Sequence, residues 1–334
     1  MTANGKPIVA IATGDPAGIG PEIAMKVALT PSIASLCDPI LVGDPAIMAR
    51  HAQVCGIGAE IGAVDRIADA KFAKGRIPVL ACPSPERDAI GFGGNSAASG
   101  RASLAAASKA IKAALANEVD AVVAAPQNQT SISMAGIEFD GYPSFVAKET
   151  GLPRSDVYLM LCFGDTKIVH TTLHVSVRQA IEAITRERVA HVISVADRTL
   201  RRLGVTSPKI HVSGLNPHAG EGGLFGSEDG EIIKPAIDEA AKRGVRVSGP
   251  FGADTMFHKK DVDAFIVMLH DQGHITAKLL ARNAIAGLAI GSPILFSSVA
   301  HGSGHDIVGK GVADPTAMIE AITRLAKAKQ VVLA

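Results

Sequence analysis

The chain has 334 residues, a formal net charge of +1 and 47% hydrophobic residues, enough for two α/β lobes or one large α/β domain. The near-neutral charge gives no sign of a nucleic-acid or membrane-surface partner, and a 4% aromatic content without Trp argues against a base-stacking platform. The four cysteines form no CxxC pair, no signal peptide is visible, and no apolar segment reaches the ~20 residues of a membrane span. We therefore expect a cytoplasmic protein with reduced thiols.

Short β-rich runs alternate with Ala-rich helical stretches along the chain. The predicted strands are Pro7–Thr13, Pro39–Val42, Val79–Cys82, Ala121–Ala125, Val157–Cys162, Lys167–Thr172, Lys209–Ser213 and Ala264–Leu269. The predicted helices are Ala98–Ala116, Arg178–Thr185, Arg188–Leu203, Ile232–Arg243 and Pro315–Ala328. This alternation predicts an α/β fold with a mostly parallel sheet and helices on its faces.

The segment Gly14–Glu22 follows the first predicted strand and opens a helix. Pro21 suits the first helical position, and Glu22 complements the positive end of the helix dipole. The glycines would let the backbone approach a ligand, but their spacing is not the dinucleotide fingerprint GxGxxG. Taken alone, the motif is more typical of a tight strand-to-helix turn.

Three histidines follow three predicted strands: His174, His218 and His270. Open α/β sheets bind their ligands at the carboxyl ends of strands. A single histidine is more often structural, but three neutral imidazoles hold one divalent metal and leave a coordination position for substrate. We therefore predict a metal site, with zinc as the first choice and cobalt, nickel, iron, manganese or magnesium as alternatives.

Three further features have both a functional and a structural interpretation. The Gly-rich segment His301–Pro315 is typical of a ligand loop, or of a long surface connection. Asp254 could contact metal or substrate, or cap a helix. Lys278, eight residues after His270, lies two turns along a helix if one starts there, within reach of a substrate carboxylate; exposed lysines are the commoner case.

Six segments together resemble the 4-hydroxythreonine-4-phosphate dehydrogenase family, in order over nearly the whole chain. They are Gly14–Glu22, His174, Asn216–Gly223, Asp254–Phe257, His270–Gly273 and His301–Gly311. The loop His301–Pro315 also resembles the adenosine-binding loop of isocitrate and isopropylmalate dehydrogenases.

The resemblance implies an isocitrate/isopropylmalate-dehydrogenase-like fold of two α/β/α lobes with mostly parallel sheets and a cleft between them. Residues 1–134 and 301–334 would form the first lobe. Residues 135–300 would form the second, with the metal ligands and dimer contacts. The family also implies a homodimer with its active site near the subunit interface, a small-molecule substrate, and NAD or NADP as cofactor.

Site roles follow from the same resemblance. The implied metal ligands are His174, His218 and His270, and the implied catalytic residues are Asp254, Asp271 and Lys278. The implied substrate contacts are Tyr142, Pro143, Ser144, Lys278, Gly287 and Phe296. The implied cofactor contacts are Gly214, Asn216, Gly222, Gly223, His301, Gly302, Asp306 and Asp314.

The chain departs from the family where phosphate is held. The phosphate-using enzymes carry Gly-His-Thr where this chain has Gly141–Ser144, with Tyr142 and Pro143 in place of polar contacts. Gly287 and Phe296 align with the family's Asn and Arg, and Gln129 aligns with its Lys. Because a phosphate dianion needs donors and positive charge, these changes predict a substrate without phosphate.

The changed pattern resembles a sister group, the dehydrogenases of terephthalate breakdown that act on 1,2-dihydroxy-3,5-cyclohexadiene-1,4-dicarboxylate. The matching segments are Gly141–Ser144, Leu173–Val177, Leu224–Asp229, Met268–Ile275 and Ser297–Gly302. The implied reaction oxidises the diol and releases carbon dioxide, giving 3,4-dihydroxybenzoate. Two alternatives stay open: 4-hydroxythreonine-4-phosphate dehydrogenase or a phosphorylated sugar-acid variant, and a metal-dependent hydrolase or non-catalytic binder.

Overall fold

A computed structural model describes residues 5–281 and 285–333. The strands are β1 Ile8–Ala12, β2 Asp38–Gly43, β3 Glu60–Val64, β4 Arg76–Ala81, β5 Ala121–Ala124, β6 Tyr158–Phe163, β7 Thr166–His170, β8 Lys209–Ser213, β9 Arg246–Phe251, β10 Ala264–Val267, β11 Ala286–Ile290 and β12 Phe296–Val299. The α-helices are α1 Gly20–Ala28, α2 Pro31–Leu36, α3 Pro45–Val54, α4 Ala97–Leu115, α5 Gln129–Met134, α6 Tyr142–Glu149, α7 Val177–Ala183, α8 Arg186–Arg202, α9 Lys234–Lys242, α10 His270–Leu280 and α11 Thr316–Leu333.

The chain forms two compact units. The first combines Met1–Gly151 with Pro293–Ala334, and the second is Leu152–Ser292. The predicted lobes, residues 1–134 with 301–334 and residues 135–300, stay a prediction. Helix α6 stays with the first unit because Glu149 accepts a hydrogen bond from Ser108 of α4, and β12 stays there because it pairs with β5.

The first unit has a parallel sheet with the strand order β3-β4-β2-β1-β5-β12. Its centre is apolar: every residue of Ile8–Ala12 and Ala121–Ala124 is buried, as expected for strands covered on both faces. From β1 the chain proceeds to β2 on one side and later places β5 on the other. The strand order thus reverses at the β1–β5 pair, the position where open α/β sheets bind ligands.

The second unit has a mixed sheet with the order β11-β6-β7-β10-β8-β9. Strand β6 runs antiparallel to both β7 and β11, whereas β7, β10, β8 and β9 are parallel. The carboxyl ends of β7, β10 and β8 therefore lie along one edge of the sheet, and the segments that follow them carry the three candidate histidines. The predicted α/β fold with a mostly parallel sheet is confirmed.

All eight predicted strands and all five predicted helices have counterparts in the structure, with ends displaced by a few residues. Strands β3, β9, β11 and β12 and several short helices were not predicted. Within residues 5–281 and 285–333, no helix combines the length and apolarity needed to cross a bilayer.

Candidate active site

His174 and His270 lie side by side at the carboxyl edge of the second sheet. His174 follows β7 and His270 follows β10, and these strands are parallel neighbours with His170 opposite Val267. Their ring centroids lie 5.6 Å apart. Both residues line an open pocket of about 550 Å³, together with Thr172, Leu173, Val175, Ser176, Val177, Gln179, Ala180, Leu269 and Asp271. The two strand ends thus meet as predicted.

The ring of His270 is held by two neighbours on α10. Its Nδ1 lies 2.7 Å from Oδ1 of Asp271. A neutral His270 therefore donates from Nδ1 and presents the Nε2 lone pair, the arrangement that orients metal-binding imidazoles. One helical turn later, His274 stacks on His270 with 3.8 Å between centroids and 9° between planes.

A fourth imidazole, His170, lies beneath α10. Its ring centroid is 4.6 Å from that of His274, and its side chain is buried. A Cβ on Gly273 would lie 2.3 Å from His170 Nε2, so only glycine allows the helix to pass this ring. His170 is therefore a buried residue beneath the site, and His274 is a neighbour of the site that was not predicted from the sequence.

Desolvation favours the neutral form of three of these imidazoles, because it lowers their pKa. Burial, followed by the charges of His270 and Arg154, lowers the pKa of His174. Burial and the nearby His270 lower the pKa of His274 to about 4, and burial with the nearby His274 lowers that of His170 to about 3. Neutral imidazole is the form that binds metal ions.

His218 is held in an unusual turn. Five successive residues from His218 to Gly222 have φ between 41° and 78°, and three of them are not glycine. L-residues disfavour this left-handed region. The buried Asp229 maintains the turn by accepting hydrogen bonds from the backbone N–H groups of Leu215 (2.8 Å) and Asn216 (3.0 Å). Strain of this kind concentrates at functional sites.

Asp254 is a neighbour of His218. A Cβ on Gly252 would lie 2.7 Å from Asp254 Oδ1 and 3.7 Å from His218 Cα. The short helix Met256–His258 begins after Thr255, so the alternative that Asp254 caps a helix is wrong.

The predicted three-histidine ligand set is assembled only in part. Among the described residues, no three His, Cys, Asp or Glu side chains converge closely enough to hold a metal ion. The adjacent rings of His174 and His270 fit a divalent ion, whereas His218 lies on its own turn.

Lys278 lies where the sequence predicted, two turns along α10 from His270, and it is exposed. Its charge contributes to lowering the pKa of His274, which places its ammonium near the imidazole cluster. A reach toward a substrate carboxylate stays a prediction.

Tyr142 and Phe296 form a buried pair in the first unit. Their ring centroids are 5.0 Å apart, and they are 9% and 2% exposed. The Tyr142 hydroxyl accepts from Gln127 Nε2 (2.6 Å) and donates to the carbonyl oxygen of Ala125 (3.2 Å). Burial also raises the pKa of Tyr142.

The ring of Phe296 is enclosed in this structure, and its contact with substrate stays a prediction. Gly287 is likewise buried, within β11 opposite Leu161, and its role as a substrate contact also stays a prediction. Pro143 occupies the first turn of α6 and has no N–H, and Ser144 Oγ is bonded to Asp140 and to the carbonyl of Gly141.

The predicted cofactor contacts belong to both units. In the second unit, Gly222 and Gly223 line a pocket of about 360 Å³, and a Cβ on Gly214 would lie 2.6 Å from Ala219 Cα. Asn216 donates to Glu228 Oε2 at 2.8 Å.

In the first unit, His301, Gly302 and Asp306 are exposed on their loop. The carboxylate of Asp314 accepts from both the N–H and the hydroxyl of Thr316, which lowers its pKa. The roles of all these residues as cofactor contacts stay predictions.

Comparison with known proteins identifies the family. Residues 35–325 match the family model of the pyridoxal phosphate biosynthetic protein PdxA. The chain belongs to the PdxA family. It is 42% identical over 318 residues to a 1,2-dihydroxy-3,5-cyclohexadiene-1,4-dicarboxylate dehydrogenase from a Comamonas species, covering 95% of this chain and 96% of the relative.

Two solved structures of PdxA-like enzymes resemble the chain. A 4-hydroxythreonine-4-phosphate dehydrogenase from Klebsiella pneumoniae matches with a TM-score of 0.86 and 34% identity, covering 97% of this chain and 100% of that one. A terephthalate 1,2-cis-dihydrodiol dehydrogenase from Burkholderia xenovorans LB400 matches with a TM-score of 0.71 and 40% identity, covering 96% and 98%.

These relatives confirm the predicted family and sister group. They are named dehydrogenases, so this PdxA-family chain is an oxidoreductase and not a hydrolase or a non-catalytic binder. The finer likeness to isocitrate and isopropylmalate dehydrogenases stays a prediction.

Proposed function

We propose that this chain oxidises a secondary alcohol beside a carboxylate-bearing carbon, with NAD or NADP as hydride acceptor, and that the β-keto acid formed then loses carbon dioxide. The proposed substrate is the terephthalate cis-dihydrodiol, 1,2-dihydroxy-3,5-cyclohexadiene-1,4-dicarboxylate, and the product is 3,4-dihydroxybenzoate. The relative that is 42% identical bears the name of a dehydrogenase for this compound.

The buried Tyr142–Phe296 pair carries the choice of substrate. The phosphate-using relatives are expected to have polar groups at these positions, whereas Phe296 offers no donor and the Tyr142 hydroxyl is already bonded to Gln127 and Ala125. A phosphate dianion brought here would lose hydration without gaining charged partners, which is costly. A ring dicarboxylate without phosphate avoids that cost.

His174 and His270, with His218, would hold the divalent metal, with zinc as the first choice. A metal held there supplies Lewis-acid polarisation of the alcohol oxygen and of the developing enolate. The carboxylate of Asp271 accepts a hydrogen bond from Nδ1–H of His270, which leaves the Nε2 lone pair of His270 for the metal. We assign Lys278 to a substrate carboxylate and Asp254 to the alcohol proton, which one of its carboxylate oxygens would accept.

We assign the nucleotide to Gly214, Asn216, Gly222 and Gly223 in the second unit, and to His301, Gly302, Asp306 and Asp314 in the first. We also propose a homodimer with the active site near the subunit interface.

A side-by-side assay of nicotinamide reduction tests the function. The diol dicarboxylate and 4-hydroxythreonine 4-phosphate are each offered with NAD and with NADP, before and after chelation. Reduction with the diol dicarboxylate alone, abolished by chelation, is the expected result. Saturable turnover of the phosphorylated substrate alone would return the chain to the role of its 4-hydroxythreonine-4-phosphate dehydrogenase relatives. Absence of turnover with the diol would refute the proposed substrate.

A further inference from the structure

A carboxylate–imidazole pair joins the end of β1 to the Gly-rich loop in the first unit. His305 Nε2 lies 2.7 Å from Oδ2 of Asp15, whose side chain is 1% exposed. The other oxygen of Asp15 accepts hydrogen bonds from the N–H of Ala17 (2.9 Å) and the hydroxyl of Ser99. This buried carboxylate is thus surrounded by three donors, and the loop supplies the only imidazole among them.

The beginning of the loop is seated on the turn between β1 and α1. The N–H of Ile19 donates to the carbonyl of Ser303 at 2.8 Å, and a Cβ on Gly18 would lie 2.4 Å from that same oxygen. From the end of β5, Asn128 Nδ2 lies 3.3 Å from Ser303 Oγ and 3.4 Å from His305 Nε2. Residues 303–305 therefore contact the segments that follow both strands at which the strand order reverses.

The far end of the loop is fastened to α1. The buried Glu22 accepts from the N–H of Ala313 at 2.9 Å. Lys26 donates to the carbonyls of Gly311 (2.9 Å) and Ala313 (2.8 Å). The segment between His305 and Gly311 is therefore tethered at both ends, while Asp306 and Lys310 face solvent.

The loop needs this tethering because it is rich in glycine. Glycines occupy positions 302, 304, 309 and 311, and the last three have φ between 54° and 75°. Each glycine ordered on binding costs more conformational entropy than another residue. A bond between an imidazole and a buried carboxylate fixes the loop before the ligand arrives, which reduces the ordering cost of binding.

We propose that His305 is a positioning residue that sets nicotinamide-nucleotide affinity by holding residues 301–311 against Asp15. The inference rests on the proposed function because it takes this loop as a nucleotide-binding element. It concerns binding and not the chemical step, so loss of His305 raises the KM for the nucleotide and leaves kcat unchanged.

The test compares three variants of the full chain. His305→Leu removes the donor and fills the space, and His305→Gln returns an amide N–H near the position of Nε2. The control, Arg66→Ala, breaks the exposed Arg66–Asp69 pair in the same unit. NADH and NADPH are titrated by the fluorescence of the reduced nicotinamide, and amide hydrogen exchange of residues 301–311 is measured without nucleotide.

We expect His305→Leu to weaken nucleotide binding about tenfold or more and to accelerate exchange within 301–311, because this variant loses one charge-assisted hydrogen bond. His305→Gln and Arg66→Ala should stay within about threefold of wild type. If the leucine variant does not fold, His305→Ala, which admits water to Asp15, takes its place.

Two different results would each contradict this proposal. A leucine variant with wild-type affinity and wild-type exchange would overturn the role of His305 alone. A wild-type chain that binds neither NADH nor NADPH would overturn the proposed function and this inference with it.

Discussion

Replacing Asp229 with alanine should destabilise the second unit and release the turn that carries His218. Asp229 is 2% exposed and accepts two backbone N–H bonds, from Leu215 and Asn216. Each hydrogen bond to a charged group contributes about 1.5–3 kcal/mol. The turn holds three non-glycine residues in the left-handed region, at ~1–2 kcal/mol each, so relaxation of the turn returns part of the loss. We therefore expect a net loss of about 3 kcal/mol in the free energy of unfolding.

Urea unfolding of the full chain, followed by circular dichroism, measures this loss. The matched control is Asp238→Ala, which removes a carboxylate of the same unit that is 49% exposed and paired with Lys234. An exposed i,i+4 pair contributes only about 0.5 kcal/mol, so the control should unfold close to wild type. Equal urea midpoints for Asp229→Ala and wild type would refute the reasoning, because they would mean that the left-handed turn does not depend on the buried carboxylate.

Three further predictions concern other side-chain contacts. His274→Ala should weaken Co²⁺ binding in a chelator competition by about tenfold, whereas His274→Phe, which keeps a ring on His270, should retain it; equal loss in both variants would contradict a stacking role. Gly273→Ala should cost about 1–3 kcal/mol in urea unfolding, because its Cβ would meet His170 Nε2 at 2.3 Å, and unchanged stability would show that the ring moves freely. Burial lowers the pKa of His51, whose Nε2 lies 2.9 Å from the carbonyl oxygen of Pro16. The folded state therefore resists protonation, so stability should fall as pH drops below about 6.5, and His51→Gln should show a shallower fall.

The strands that could be predicted are those that their own amino-acid composition identifies. Runs such as Ile8–Ala12 and Ala264–Val267 are wholly buried and apolar, so their composition alone identifies them. Strands β3 and β9 were missed because they occupy the outer edges of the two sheet orders and are partly exposed, with Gly62 in one and Gly249 and Pro250 in the other. Such strands are defined by the neighbour they pair with, which no local pattern records.

The same distinction separates the parts of the site. The meeting of His174 and His270 follows from parallel strand ends, which the alternation of elements predicts. The turn at His218 depends on Asp229, eleven residues further along the chain, and could not be read from its own sequence. The burial of Phe296 depends on packing against Tyr142, so alignment to a family position could not show that its ring is enclosed.

The separation of the first unit into two stretches of sequence has a consequence for synthesis on the ribosome. Residues 152–292 form one contiguous stretch, so the second unit leaves the ribosome without interruption. The edge of β5 that pairs with β12 stays unpaired until residues 296–299 have been synthesised. An unpaired edge of Ala and Val is a site of aggregation. Nascent chains stalled between these points should therefore depend on chaperones more than chains released after β12 has emerged.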